Sequence, residues 1–372
     1  MPICLVSGCL AICLPAAPSP DVRTAHVASL WGGMGECLQL SAPSTKPVLL
    51  KTIAMPDVAT ANLGDARKRA SYLVEAAFYA SGLAAALAAA APDCLACADV
   101  VGVWTIAAGA DAADAELVSH AGELPTRGRS KLDTLVIAMA YLPLPPVPSD
   151  IDVVMAARIL DALAVFHAAH WGDAAEDAVA VIGLAEQGSY WYLDTRPDEW
   201  RAMGSRGLPG RLKAAAAAID ARLKADPGQC IIHGDVKPAN LMAAAHAGPV
   251  AFVDMQYVGR GVPSRDVAKL FMAGGLDLEP AAEDSLLRGY HAALVARLAP
   301  SAAATFTYDA FDVQLSLAAA DLARFLCGWG WWGDDAFLKA RARIVLDALD
   351  GGKLLPGGGA AYDEAMTVAF PV

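Results

Sequence analysis

The stretch IIHGDVKPAN, residues 231–240, sets a histidine, an aspartate, a lysine and an asparagine directly after two β-branched apolar residues. A short apolar lead-in ending in polar and charged groups reads as a buried strand running into a loop, and loops at strand ends are where chemistry usually sits. A second stretch, AFVDMQYVGRGVPSRDVAKLF (251–271), repeats the pattern, its apolar strand ending in the carboxylate of Asp254. Together the two segments offer Asp235, Asn240 and Asp254 on strand-end loops. Hard oxygen side chains so placed suit Mg²⁺, which leaves room in its shell for substrate phosphates. A further aspartate beside them can accept a proton from a hydroxyl nucleophile.

The rest of the chain sets limits on that reading. It has 372 residues, long enough for two lobes with substantial cores. With 56% hydrophobic and 18% charged residues it is globular. Much of the hydrophobic share is alanine, which favours helix but buries little area, so the mean hydropathy of +0.40 overstates the apolar driving force. No run of 18 or more strongly apolar residues occurs, and no membrane span is expected. A net charge of −12 disfavours a nucleic-acid binder, which normally shows a basic face. It leaves anionic nucleotides open, because a local lysine and a metal reverse the field.

Eight cysteines are present: Cys4, Cys9, Cys13, Cys37, Cys94, Cys97, Cys230 and Cys327. Cys94 and Cys97 form a C-x-x-C with no second pair at zinc spacing, so reduced thiols in a cytoplasmic enzyme are expected, with metal or redox use as the alternative. The first residues, 1–20, carry an apolar run but no basic residue before Arg23. They read as a poorly ordered leader, with secretion or organelle targeting as the alternative.

Residues 25–53 look like strands around a glycine-rich turn, and VLLKTI (48–53) is a strand with one lysine, Lys51, in an apolar run. DARKRASYLVEAAFYASGLAAALAAAAP (65–92) predicts one long helix opening at Asp65 as N-cap and stopping before Pro92. VVGVWTIAA (100–108) and KLDTLVIAMAYL (131–142) read as strands. The proline-dense YLPLPPVPS (141–149) marks a lobe boundary, dividing 21–143 from 144–372. Beyond it lie an amphipathic helix over 150–171 with Asp150 or Asp152 as cap, another helix over 208–225, strands at 229–232 and 250–254, and near-continuous helix over 265–350. No repeat is visible.

At this point the chain resembles a family. His233-Gly234-Asp235, four residues and Asn240 are similar to the H-[RG]-D-x-x-x-x-N catalytic loop of kinase-like phosphotransferases, and VDMQ (253–256) to their metal-binding D-F-G, in the D-x-Q form of the ecdysteroid kinase-like (CHK kinase-like) and choline/aminoglycoside kinase-like group. VLLKTI resembles the strand carrying the ATP-binding lysine, SYLVEAAFY (71–79) the following helix with its glutamate, and AVFHAAHW (164–171) and SRDVAKL (264–270) the helices before the catalytic loop and after the metal loop. These segments span roughly residues 30–330. The resemblance implies an α+β, bilobal protein-kinase-like fold, with a small strand-rich N-lobe and a larger helical C-lobe. It implies Asp235 as catalytic base, Lys237 as a stabiliser of the transferring phosphoryl group, and Asn240 and Asp254 as Mg²⁺ ligands. Lys51 would contact the α/β-phosphates of ATP and pair with Glu75. Gly32, Gly33 and Gly35 of GGMGE would cover the phosphates, although this turn departs from the protein-kinase G-x-G-x-x-G. The backbone around Met139 and Tyr141 would meet adenine.

Other residues have blander readings. His233 reads as a structural brace of its loop, and His167 and His170 as packed or surface side chains. Asp266 opens a helix, so capping is its default, with bracing of the catalytic loop as a second role. GWGWWGDD (328–335), with Tyr190 and Trp191, reads as late-helix core packing or as an aromatic wall for an acceptor, cationic or flat and apolar. The function expected is ATP-dependent transfer of the γ-phosphoryl group to a small-molecule hydroxyl. The alternative is a catalytically silent kinase-like binding protein. Acceptor and oligomeric state stay open.

Overall fold

A computed structural model describes residues 22–43, 45–57, 62–107, 110, 115–119, 123–124 and 132–372. The leader expected over 1–20 and Cys4, Cys9 and Cys13 lie outside the described residues. The expected α+β class is observed, with a strand-rich N-terminal part and a helical C-terminal part.

Strands β1 (Arg23–Ser29), β2 (Gly35–Ser41), β3 (Val48–Ala54), β5 (Val100–Ala107), β6 (Glu116–Leu117) and β7 (Leu132–Ala140) form one antiparallel sheet, ordered β1-β2-β3-β7-β5-β6. Period-two alternation decides its two faces. Val48 and Leu50 of β3 join Leu38, Leu40, Trp104 and Val136 in a small core on one face. Lys51 and Ile53 point to the other face, over helix α1 (Leu63–Ala80). That helix carries two corrections to the expected one. Its cap is Asn62, whose side chain accepts the Asp65 amide, so Asp65 lies in the first turn. It also stops early: Gly82, at φ 77°, separates it from α2 (Leu83–Ala90), and the two are bent by 59°. Alanine-rich periodicity runs through the glycine, which is why the break was not visible. No single helix among the described residues is long and apolar enough to cross a membrane; this bent pair meets both conditions only when taken together.

The proline stretch runs along the C-terminal part: Val147 donates its amide to Leu241 O, and Ala243 to Pro145 O. Next come α3 (Val153–Ala168), capped by Asp152 through the Met155 amide, α4 (Asp173–Ile182), α5 (Pro197–Ala202) and α6 (Gly207–Ala225). Short strands β8 (Cys230–Ile232), β9 (Leu241–Ala243), β10 (Val250–Phe252) and β11 (Gly259–Gly261) carry the loops of interest. β8 pairs with β11, and β10 pairs with β9 and, in parallel, with β4 (Leu95–Ala96) from ahead of the proline stretch. Helices α7 (Ser264–Ala273), α8 (Pro280–Val295), α9 (Pro300–Thr305), α10 (Tyr308–Trp329), α11 (Asp335–Asp350) and α12 (Gly359–Ala369) complete the chain. Helix α10, buried along most of its length, packs against α6, α7 and α11.

Candidate functional site

Two polar clusters meet where the sheet and α1 face the β8–β11 loops. The first is centred on Lys51. Its Nζ lies 2.7 Å from Glu75 Oε2 on α1 and 3.1 Å from Asp254 Oδ1, which follows β10. Lys51 and Glu75 are buried, whereas the Asp254 side chain keeps one-third of its surface exposed. One ammonium thus serves two carboxylates, and the charge divides accordingly. Burial lifts the wholly enclosed Glu75 carboxyl to about 6, with Lys51 opposing and Asp254 adding to the lift. Burial also acts to raise Asp254, but Lys51 outweighs it and holds that carboxyl below its usual value. Burial acts to lower Lys51, yet Glu75 and Asp254 together raise it. Asp254 adopts a left-handed backbone, φ 65° and ψ 65°, which few non-glycine residues take. That turn aims the carboxylate back at Lys51. Two residues on, Gln256 Oε1 accepts a hydrogen bond from Ser71 Oγ at 3.3 Å, tying the loop to α1.

The second cluster is centred on Asp235. Its Oδ2 receives Lys237 Nζ at 2.7 Å and Asn240 Nδ2 at 3.1 Å; Asn240 also donates to the Asp235 carbonyl at 2.9 Å. Asp235 Oδ1 is buried and ion-paired with Lys269 Nζ of α7 at 3.4 Å, with no shorter hydrogen bond among the described residues. The loop is braced from below. Asp266 accepts the His233 amide at 2.7 Å and the Gly234 amide at 2.8 Å, and takes His167 Nε2 of α3 at 3.1 Å. Asp266 therefore acts as the loop's anchor, and the capping default is corrected. His233 accepts the Asp235 amide on Nδ1 at 3.2 Å, which leaves Nε2 to donate to Val253 O at 3.0 Å. It braces both loops, as read. Gly234, at φ 84°, has no room for a side chain: a Cβ there would lie 2.3 Å from Tyr257 O.

The remaining expected residues fall into place unevenly. Gly32 and Gly33, at φ 69° and 71°, form a tight turn between β1 and β2, and a Cβ on Gly32 would come 3.2 Å from Lys68 Nζ of α1. Gly35 starts β2, where a Cβ would strike Thr52 O at 1.9 Å. Met139 is paired within the sheet with Leu49 and Val100. The Tyr141 amide already donates to Pro47 O at 2.9 Å, so that donor is not open to a base. Cys94 and Cys97 are free, and burial raises both thiols, Cys97 to about 12, which opposes thiolate chemistry.

Sequence reading missed Lys269. It lies in SRDVAKLFMA, a helix buried over nearly its whole length, and is itself wholly enclosed. A lone lysine in an apolar helix was the available signal, the same one that marked Lys51 in its strand. Burial pushes its ammonium down to about 8, with Asp235 opposing. The core-packing reading of GWGWWGDD holds for Trp331, which packs partly buried against the core, and is corrected for Trp329, where α10 ends, and Trp332, which are 52% and 38% exposed. Trp191, by contrast, is fully buried.

No group of three or more His, Cys, Asp or Glu among the described residues could hold a metal by itself. Asn240 and Asp254 do fit Mg²⁺. Both present oxygen, Asp254 stays ionised, and Asn240 turns its nitrogen to Asp235, which frees its oxygen for a cation. A buried ammonium beside an ionised carboxylate, together with an aspartate whose Oδ1 meets only the Lys269 ammonium at 3.4 Å among the described residues, can hold an anionic chain by charge and take a proton from a hydroxyl.

Residues 130–301 match the model of the family described as phosphotransferase enzyme family (APH), a span that carries both loops and α7. Kinase-like small-molecule phosphotransferases are thus the family this chain resembles by family model as well as by motif. Among solved structures it is similar to the macrolide 2′-phosphotransferase MphH of Brachybacterium faecium, at 17% identity and a TM-score of 0.43 over 87% of this chain and 91% of that one. It is similar to the choline kinase LicA of Streptococcus pneumoniae, at 11% identity and 0.45 over 98% and 97%, respectively. The corresponding figures for an ethanolamine kinase of Plasmodium vivax are 9%, 0.47, 91% and 87%. No curated protein sequence matches the chain significantly.

Proposed function

We propose that the protein is an ATP-dependent phosphotransferase that moves the γ-phosphoryl group to a hydroxyl of a small molecule. The observation that carries this is the division of labour within Asp235: Oδ2 is saturated by Lys237 and Asn240, while Oδ1, held out of solvent, meets only the Lys269 ammonium at 3.4 Å among the described residues. An acceptor hydroxyl donating to Oδ1 is oriented for attack and passes its proton there as the new P–O bond forms. Lys51, steadied by Glu75, places its ammonium against the phosphates, and Lys237 faces the transferring group. Asn240 and Asp254 would hold Mg²⁺, which would supply positive charge to offset that of the phosphates. The turn at Gly32 and Gly33 brings backbone close to the phosphates, and adenine would lie along the segment after β7, using donors other than the Tyr141 amide.

The test is thermal stabilisation by ATP with and without Mg²⁺, followed by an ATP-consumption screen over sugars, polyols, hydroxy acids, amino alcohols and sterols, with Asp235→Asn as the blank. Metal-dependent stabilisation and acceptor-dependent turnover are expected. A protein whose melting is indifferent to MgATP is not a phosphotransferase.

A further inference from the structure

The Lys269 ammonium is surrounded by rings. Its Nζ lies 4.3 Å from the centre of the Trp332 ring, 5.0 Å from Tyr190 and 5.5 Å from Trp191, and it donates to the Tyr190 hydroxyl at 2.7 Å. Such an aromatic cage is the kind of site that recognises a quaternary ammonium ligand. Here it stands beside Asp235 Oδ1, the atom that would receive the acceptor's proton, with Lys269 Nζ 3.4 Å from it. The cage comes from three parts of the fold: Tyr190 and Trp191 ahead of α5, Lys269 on α7, and Trp332 in the turn between α10 and α11. Its cation belongs to the protein itself.

We propose that Lys269 determines acceptor specificity: by filling the aromatic cage beside Asp235 with its own ammonium, it restricts the site to alcohols that carry no positive charge near the reacting hydroxyl and excludes amino alcohols. This rests on the reading of Asp235 as the base that meets the acceptor. A cationic acceptor would have to displace an ammonium that is wholly buried and hydrogen-bonded, or else lie against it as a like charge, which weakens binding by roughly a hundredfold or more. The charged groups that act on Lys269 are Asp235, which attracts it, and Lys237, a second cation that would also repel an incoming one. The neighbouring tryptophans are engaged in the same way. Trp329 has the Arg196 guanidinium 5.5 Å from its ring centre, and Trp331 has Lys339 at 4.6 Å. An uncharged or acidic alcohol meets none of this opposition, and its oxygens can accept from Lys237 beside Asp235.

The experiment compares two alcohols of one shape that differ in charge, choline and 3,3-dimethyl-1-butanol, on the full chain with ADP and Mg²⁺. Binding is read by calorimetry and by tryptophan fluorescence, since Trp191 and Trp332 line the cage. Wild type is expected to show no choline binding at tens of millimolar. Lys269→Met, which empties the cage of charge, is expected to bind choline, and more tightly than the neutral isostere. Lys269→Gln, which can still donate to Tyr190, gives the same reading if the methionine variant does not fold. Choline binding by wild type, or a folded Lys269 variant that still ignores choline, overturns the proposal. Failure of the phosphotransferase reading is seen separately, as a wild-type melting temperature that does not respond to MgATP.

Discussion

Asp266 Oδ1 accepts the backbone N–H of Gly234 at 2.8 Å, so a residue on α7 holds the backbone of the loop that carries Asp235. The other oxygen of the same carboxylate takes the His233 amide, and all the groups are buried. Asp266→Ala would leave two buried amides unpaired, each at about 1–3 kcal/mol. Urea unfolding is expected to show a loss of roughly 3 kcal/mol, with turnover falling more than nucleotide affinity. Unchanged stability would show that the amides find other partners.

Asp235→Asn keeps the hydrogen-bonding shape of the loop but removes the base. It should retain nucleotide binding and lose phosphotransfer by on the order of a hundredfold or more. Steady-state kinetics with any acceptor found in the screen decides this, and near wild-type turnover would take Asp235 out of the mechanism.

Asp254→Ala removes a carboxylate that Lys51 keeps ionised. ATP binding should lose its dependence on Mg²⁺ if Asn240 and Asp254 hold the metal as proposed. Titration calorimetry at several Mg²⁺ concentrations checks it; a variant that still binds ATP more tightly with Mg²⁺, to the wild-type degree, refutes the metal assignment.

Glu75 makes a pH prediction. Its carboxyl stands at about 6 in the folded protein against 4.5 for the ordinary value, so between those limits the folded state holds more protons than the unfolded one. Stability from this group therefore rises as pH falls from 6 towards 4.5, by about 2 kcal/mol in all. Asp254 works the other way: its lowered pKa makes its contribution present above 3.8 and lost as the pH falls through the folded value. Glu75→Gln should abolish the change between pH 6 and 4.5 and raise the Michaelis constant for ATP, less severely than Lys51→Met does. Denaturation curves across this range that are parallel for wild type and Glu75→Gln would contradict it.

Lys269 carries the opposite sign. Its pKa of about 8, below the ordinary 10.5, means the folded state holds fewer protons in that interval, so wild-type stability from this group rises with pH across it. At pH 7 the buried charge costs up to about 3 kcal/mol. Lys269→Met should therefore melt higher than wild type at pH 7, and the gap should close between pH 8 and 10.5. A variant that melts lower at pH 7 would mean that pairing with Asp235 outweighs the cost of burial.

Local pattern was enough for much of this protein. An apolar run ending in HGD, with Asn240 five residues past Asp235, and a second run ending in Asp254, placed the polar groups on strand-end loops because strand and loop chemistry are written in adjacent residues. Lys51 and Glu75 were legible as isolated charges in apolar elements, and their meeting at 2.7 Å follows from a strand and helix that pack face to face. What the sequence could not hold was any relation set by packing at long range. Asp266 read as a cap with bracing of the loop as a second role, and packing decided for the second, because its partners, His233 and Gly234, are more than thirty residues away along the chain. The break at Gly82 depended on how α2 packs, and alanine periodicity carries no mark of it. The occupant of the aromatic cage was decided last of all. Tyr190, Trp191, Lys269 and Trp332 lie on separate elements, and only the tertiary fold closes three rings around one ammonium at the atom where the proton would go.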